Sequence, residues 1–186
     1  MIKKFAAVGV MVLSLTTCST SATAVELKPI VSNVINKDSN FAIEKALTFQ
    51  EQVIINGNTQ RVKNTIAKLK RYVGKTWYVF SGSTPSGWDC SGLTMWTYQQ
   101  LGVELKHSAS VQKNAGKKYK TPKIGDVVAF GWKNYSGAQH VGIYIGNGKM
   151  IHAPAPGQRT AIVSVKKWAK ANWNTKVTYT RFIETN

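Results

Sequence analysis

The tripeptide Gly146-Asn147-Gly148 constrains the fold more than any other stretch of this 186-residue chain. It lies between two apolar, β-branched runs, His140 to Ile145 and Lys149 to Ala153, and glycine–asparagine loops of this kind close tight hairpins. If Ile145 pairs with Lys149, then Gly142 pairs with His152. His140, two residues from Gly142, then projects from the same face as His152, because side chains alternate along a strand. Two of the three histidines in the chain thereby become diagonal neighbours, roughly 7–8 Å apart at Cα. A slip of one residue would put them on opposite faces, so the inference depends on the turn.

The other elements surround this hairpin. Val62, Ile66, Leu69 and Val73 recur at helical spacing and Gly74 stops the run, which predicts an amphipathic helix. Residues 81–88, rich in Gly, Pro, Ser and Thr, read as a loop. A second helix is expected from Cys90 to Gly102, with Leu93, Trp96, Thr97 and Leu101 on one face. Strands are expected at Asp126 to Trp132, Thr160 to Val165 and Val177 to Ile183. Helices first and strands afterwards predict an α+β fold with an antiparallel sheet, not a doubly wound parallel one.

The amino terminus reads as an export signal. Lys3 and Lys4 precede an apolar run, Phe5 to Leu15, too short to span a bilayer, and Ala22-Thr23-Ala24 supplies a cleavage site. Residues 1–24 are expected to be a signal peptide, leaving no stable membrane insertion after cleavage and an extracellular, periplasmic or envelope location. Leu15-Thr16-Thr17-Cys18 loosely matches a lipoprotein box and leaves lipidation at Cys18 as the alternative. Residues 25–58 read as an N-terminal extension or linker with one short helix, Phe41 to Val53, and residues 59–186 as the domain.

Export makes the cysteine count informative. The chain has two cysteines, Cys18 and Cys90. Cleavage after Ala24 leaves Cys90 alone, a free thiol in an exported protein. It is either a buried structural residue or a reactive one. Cys90 opens the predicted second helix, where first-turn N–H groups lack intrahelical partners and the helix dipole favours an anion. That position predicts a lowered thiol pKa and free N–H groups for an oxyanion, with Asp89 as the cap. The expected base is His140, oriented by His152. A Cys90, His140, His152 zinc site is the alternative, although it lacks the short-range ligand pairing common in zinc sites. His107, in a polar stretch, reads as an exposed loop residue.

Charge bounds the partners. From residue 52 onward there are 20 Lys plus Arg against 4 Asp plus Glu. Such a surface favours polyanions. No nucleic-acid-binding signature accompanies it, so anionic wall polymers or lipid head groups are the expected partners and nucleic acid is not, with a solvated basic surface of no dedicated partner as the alternative.

Read together, Tyr78-Val79-Phe80-Ser81-Gly82, Gly87-Trp88-Asp89-Cys90-Ser91-Gly92-Leu93, Gly125-Asp126-Val127-Val128, His140-Val141-Gly142-Ile143-Tyr144-Ile145-Gly146 and Ile151-His152-Ala153-Pro154 resemble the NlpC-type cell-wall cysteine peptidases. The likeness runs over roughly residues 60–185. It implies a papain-like α+β fold with N-terminal helices packed on an antiparallel sheet. It implies Cys90 as nucleophile, His140 as base and His152 as orienting residue, with no metal or cofactor. The implied substrates are peptidoglycan stem peptides, cut between D-glutamate and the diamino acid. Tyr78, Asp89 and Ser91 match positions that line the site and bind the free amino end of the stem peptide. An amidase or acyltransferase on the same fold, or a non-catalytic wall-binding module, are the alternatives. Ser81, Ile124 and His107 depart from the family pattern, standing where a glycine, a proline and an arginine are usual.

Overall fold

The computed structural model describes residues 37–132, 134, 136–172 and 176–186, and side chains from residue 43 onward. The expected signal peptide, the lipobox alternative and Cys18 lie outside the described residues. Contacts divide the chain into Met1–Lys45 and Ala46–Asn186, and the description concerns the second unit.

Helix α1 (Lys37–Lys70) is one continuous element where the sequence suggested a short helix and then a second one. Its last turns bury Val62, Ile66 and Leu69, the predicted stripe. Turns through Val73 carry the chain to Gly74, whose φ of 72° ends the run in the left-handed region that glycine tolerates. Strands β1 (Ser83–Thr84) and β2 (Gly87–Trp88) form a small antiparallel ribbon within the predicted loop. Helix α2 (Cys90–Gln99) follows, then α3 (Ala109–Ala115).

The remaining strands are β3 (Lys117–Tyr119), β4 (Val127–Gly131), β5 (His140–Gly146), β6 (Lys149–His152), β7 (Ala161–Ser164) and β8 (Lys176–Arg181), with α4 (Val165–Ala171) between the last two. They form one six-stranded sheet in the order β3-β8-β4-β5-β6-β7, and all its pairings are antiparallel. The predicted α+β class therefore holds. In the hairpin, Ile143 lies opposite Ile151 and Tyr144 opposite Met150, the predicted register, but Lys149 pairs with Gly146 and not with the expected Ile145, because a bulge between Tyr144 and Gly146 absorbs one residue at the turn.

Alternation along β4 explains the layering. Val127 and Ala129 face one core with α1 and α2, built on Val62, Leu69, Trp88, Leu93, Trp96, Val141 and Ile143. Val128 and Phe130 face the other, closed by Met150 and by Val165 and Ala169 of α4. Helix α4 begins where the sequence suggested that a strand was ending. Ser164 caps it, accepting a hydrogen bond from the Lys167 N–H at 3.3 Å. The sheet is thus covered on both faces, not on the N-terminal helical side alone.

Candidate active site

Trp88 holds the entry to α2. It is fully buried, packs edge-on against Tyr72 at 5.5 Å and donates its indole N–H to Thr160 Oγ1 at 2.7 Å. Asp89 then caps the helix, as predicted. Its Oδ1 accepts from the Gly92 N–H at 2.7 Å and from the Ser91 hydroxyl at 2.9 Å, and its Oδ2 from the Ser81 N–H at 3.1 Å. His107 Nε2 reaches the same Oδ1 at 2.8 Å. Burial works against the charge on Asp89, but the Gly92, His107 and Ser91 bonds together hold its carboxyl below the usual range. His107 is the exposed loop residue that the sequence suggested, but it is partnered to Asp89. The sequence could not indicate this, because the partners are 18 residues apart and the whole of α2 lies between them.

Close packing holds the loop on the start of the helix. A Cβ on Gly92 would sit 1.9 Å from the Gly82 carbonyl oxygen, so no side chain fits there. Ser81 has a φ of 57°, the left-handed conformation that glycine adopts at least cost. That accounts for the glycine usual at this position in the resembling family.

Cys90 opens α2, and the backbone N–H groups of Val141, Ser91 and Cys90 itself lie against its sulfur. The Val141 contact matters most for assembly, since Val141 follows His140 directly on β5. The expected lowering of the thiol pKa does not survive. Burial outweighs the N–H groups, the Asp89 charge adds to it, and the thiol is pushed up to about 11. Cys90 is half-buried, and even this desolvation offsets what the helix start offers the thiolate.

On the sheet, His140 lies opposite Phe130 of β4. Its Nε2 is 2.8 Å from Nδ1 of His152 and the rings stand at 88°. The hairpin thus brings together the two histidines that the turn predicted. Gly142 makes the approach possible, for a Cβ there would lie 3.1 Å from Cβ of His152. Burial lowers His140 to about 3, helped by His152, and lowers His152 to about 4. Both rings are neutral over the physiological range. Nε2 of His152 is the one buried side-chain polar atom among the described residues without a hydrogen-bond partner.

Tyr78 is half-buried and feels the charges of Cys90 and Asp89. Burial first, then those two groups, raise its hydroxyl pKa. Tyr78, Asp89, Cys90 and Ser91 therefore share one locality, with the His140–His152 pair joined to it through Val141. Sequence reasoning missed Trp168 of α4, which stacks on His140 with centroids 4.4 Å apart and planes at 23°. Among the described residues no group of three or more His, Cys, Asp or Glu could hold a metal ion. Nor is any described helix long and apolar enough to cross a membrane.

A thiol at a helix start, linked through Val141 to a buried histidine pair on an antiparallel sheet, is the arrangement expected of a papain-like cysteine hydrolase. The family model NlpC/P60 matches residues 74–181, and the chain belongs to the NlpC/P60 family. It is 39% identical over 117 residues to a gamma-DL-glutamyl hydrolase of Bacillus subtilis, covering 61% of this chain and 27% of that protein. It is 38% identical over 88 residues to the peptidoglycan endopeptidase RipA of Mycobacterium tuberculosis, covering 46% and 18%. The chain thus spans well under half the length of these curated relatives. Among solved structures, the NlpC/p60 domain of peptidoglycan hydrolase SagA matches with a TM-score of 0.55 and 33% identity, covering 64% of this chain and 98% of that one.

Proposed function

We propose that the protein is a peptidoglycan endopeptidase in which Cys90 is the nucleophile, His140 the general base and His152 the residue that orients it. The observation carrying this reading is the 2.8 Å bond from His140 Nε2 to His152 Nδ1. With Nε2 as donor to His152, Nδ1 of His140 is left as the lone pair for the thiol, the tautomer that a base requires. Val141, next in the chain, bonds the sulfur of Cys90 and fixes β5 beside it.

The chemistry follows from two neutral partners. Attack of Cys90 on the scissile carbonyl moves the thiol proton to Nδ1 of His140, and the N–H groups of Cys90 and Ser91 stabilise the oxyanion. His140 gives that proton to the departing amine, leaving a thioester on Cys90. Water, deprotonated by His140, then releases the acid and restores the thiol.

Tyr78, Asp89 and Ser91 form the substrate side. Asp89 Oδ1 already accepts three donors, whereas Oδ2 accepts one, so Oδ2 keeps acceptor capacity for the free amino end of a stem peptide. The bond between D-glutamate and the diamino acid is the proposed point of cleavage, in keeping with the hydrolase of gamma-DL-glutamyl bonds among the relatives. The basic surface holds the enzyme on anionic wall polymers, outside the cytoplasm, after removal of residues 1–24.

Mass spectrometry of muropeptides digested by wild type and by Cys90→Ala tests the assignment. Dipeptides ending in D-glutamate, absent with the variant, are expected. Intact stem peptides freed from the sugar would assign an amidase instead. Binding to sacculi without any product would assign a wall-binding module.

A further inference from the structure

Among the described residues, no carboxylate acts on the base proposed here. His140 is bounded by His152 on β6, by Phe130 on β4 with centroids 6.1 Å apart, and by Trp168 on α4, and its chain neighbour Val141 lies against the sulfur of Cys90. The charged groups of α4, Lys166, Lys167 and Lys170, are all exposed. His152 is itself neutral, so it offers a lone pair but no negative charge. A cation forming on His140 therefore meets the indole face stacked on it at 4.4 Å and 23° more closely than the tilted Phe130 ring at 6.1 Å. Trp168 also stands at 85° to His152, 5.8 Å between centroids, and packs on Phe130 at 4.4 Å. It contacts both members of the pair and the residue paired with His140 across β4 and β5.

Resting on the reading of Cys90 and His140 as nucleophile and base, we propose that Trp168 is a positioning residue that fixes the His140 ring plane and stabilises its imidazolium. The step it favours is transfer of the Cys90 proton to Nδ1 of His140, which creates a thiolate and an imidazolium with no change in net charge. An aromatic face attracts the cation but not the neutral ring, so the contact strengthens as the charge forms and acts on turnover more than on substrate binding. Tryptophan is the most effective aromatic for this purpose, and phenylalanine keeps a face with a weaker field. Seven-residue α4 has its role here: buried Val165 and Ala169 dock it on the sheet, and docking presents Trp168 to the histidines.

The test uses the full chain with Cys18→Ser, so that Cys90 is the sole thiol, and compares Trp168, Trp168→Phe and Trp168→Leu. Two quantities are read beside the melting temperature: kcat and KM on muropeptides, and the pH dependence of Cys90 alkylation by iodoacetamide. The expected result is a graded fall in kcat, about 2–5-fold for Phe and about 10–30-fold for Leu, with KM changed less than about twofold. The onset of alkylation should not move, because His140 is neutral where the free thiolate forms and the loss is confined to the step that charges its ring. If kcat followed the melting temperature instead, or if Phe and Leu fell equally, the inference would be overturned. If the Leu variant fails to fold, Phe decides: wild-type kcat refutes the role. Alkylation does not depend on peptidase activity, so failure of the functional assignment, seen as undiminished turnover by Cys90→Ala, is distinguishable from failure of this one.

Discussion

Asp126 and Arg181 form one buried polar pair on the sheet and its entry, and His140 and His152 form another on strands β5 and β6. The first pair is saturated. Arg181 donates from Nε and Nη2 to the two carboxylate oxygens at 2.9 Å each, and the Lys123 N–H adds a bond at 2.8 Å. The guanidinium also lies over the Tyr119 ring at 3.8 Å. The second pair shares one hydrogen bond, carries no charge and leaves Nε2 of His152 without a partner. Both are nearly inaccessible to water. A saturated buried pair fixes structure. An unsaturated neutral one keeps a lone pair and a proton position available for chemistry, at a cost to stability.

The comparison is broken most easily from its structural side. Asp126→Ala leaves the buried guanidinium with only the longer Glu184 contact at 3.4 Å, and the unfolding free energy should drop by about 3–5 kcal/mol in urea titration. A loss below about 1 kcal/mol would remove the distinction. His152→Phe probes the other side. It takes the acceptor from His140 but also deletes the orphaned nitrogen at similar volume. The expected outcome is a fall in kcat on the order of 10²-fold with stability unchanged within about 1 kcal/mol. Equal losses of stability in the two variants would contradict the contrast.

Acid should find the histidine pair as well. His140 and His152 ordinarily titrate at 6.5 but are held to about 3 and about 4 in the fold. Between these values the unfolded chain binds protons that the folded one refuses. This stability is complete above pH 6.5 and is lost as pH falls toward 4 and then 3. Urea midpoints measured from pH 7.5 to 4 should decline in wild type, and the decline should be shallower in His140→Gln/His152→Phe. The smallest effect belongs to the substrate rim. Ser81→Gly relieves the left-handed backbone at φ 57° and should raise stability by no more than about 1 kcal/mol, leaving the alkylation profile of Cys90 unchanged.

Much of this was legible in the sequence because the decisive relations are local. Glycine–asparagine turn chemistry set the hairpin register, and register set the shared face of His140 and His152. The bulge at the turn did not disturb this, since it falls beyond Tyr144, after the pairs that matter. Asp89 as a cap was equally local, three residues from the N–H it accepts. The missed features depend on tertiary placement. His107 meets Asp89 only after α2 has been traversed, and α4 is too short for a periodic signal, so Trp168 gave no hint of the stack on His140. The thiol was misjudged for a related reason: helix-end electrostatics can be read from position, whereas burial against the sheet cannot.

The central claim is that Cys90 is the nucleophile, and one measurement addresses it most directly. Purified sacculi are incubated with wild type and with Cys90→Ala at matched folded concentration, and the release of soluble peptides is followed with time. Progressive release by wild type and none above background by Cys90→Ala is the predicted result. Release by Cys90→Ala at a rate comparable to wild type would contradict the account.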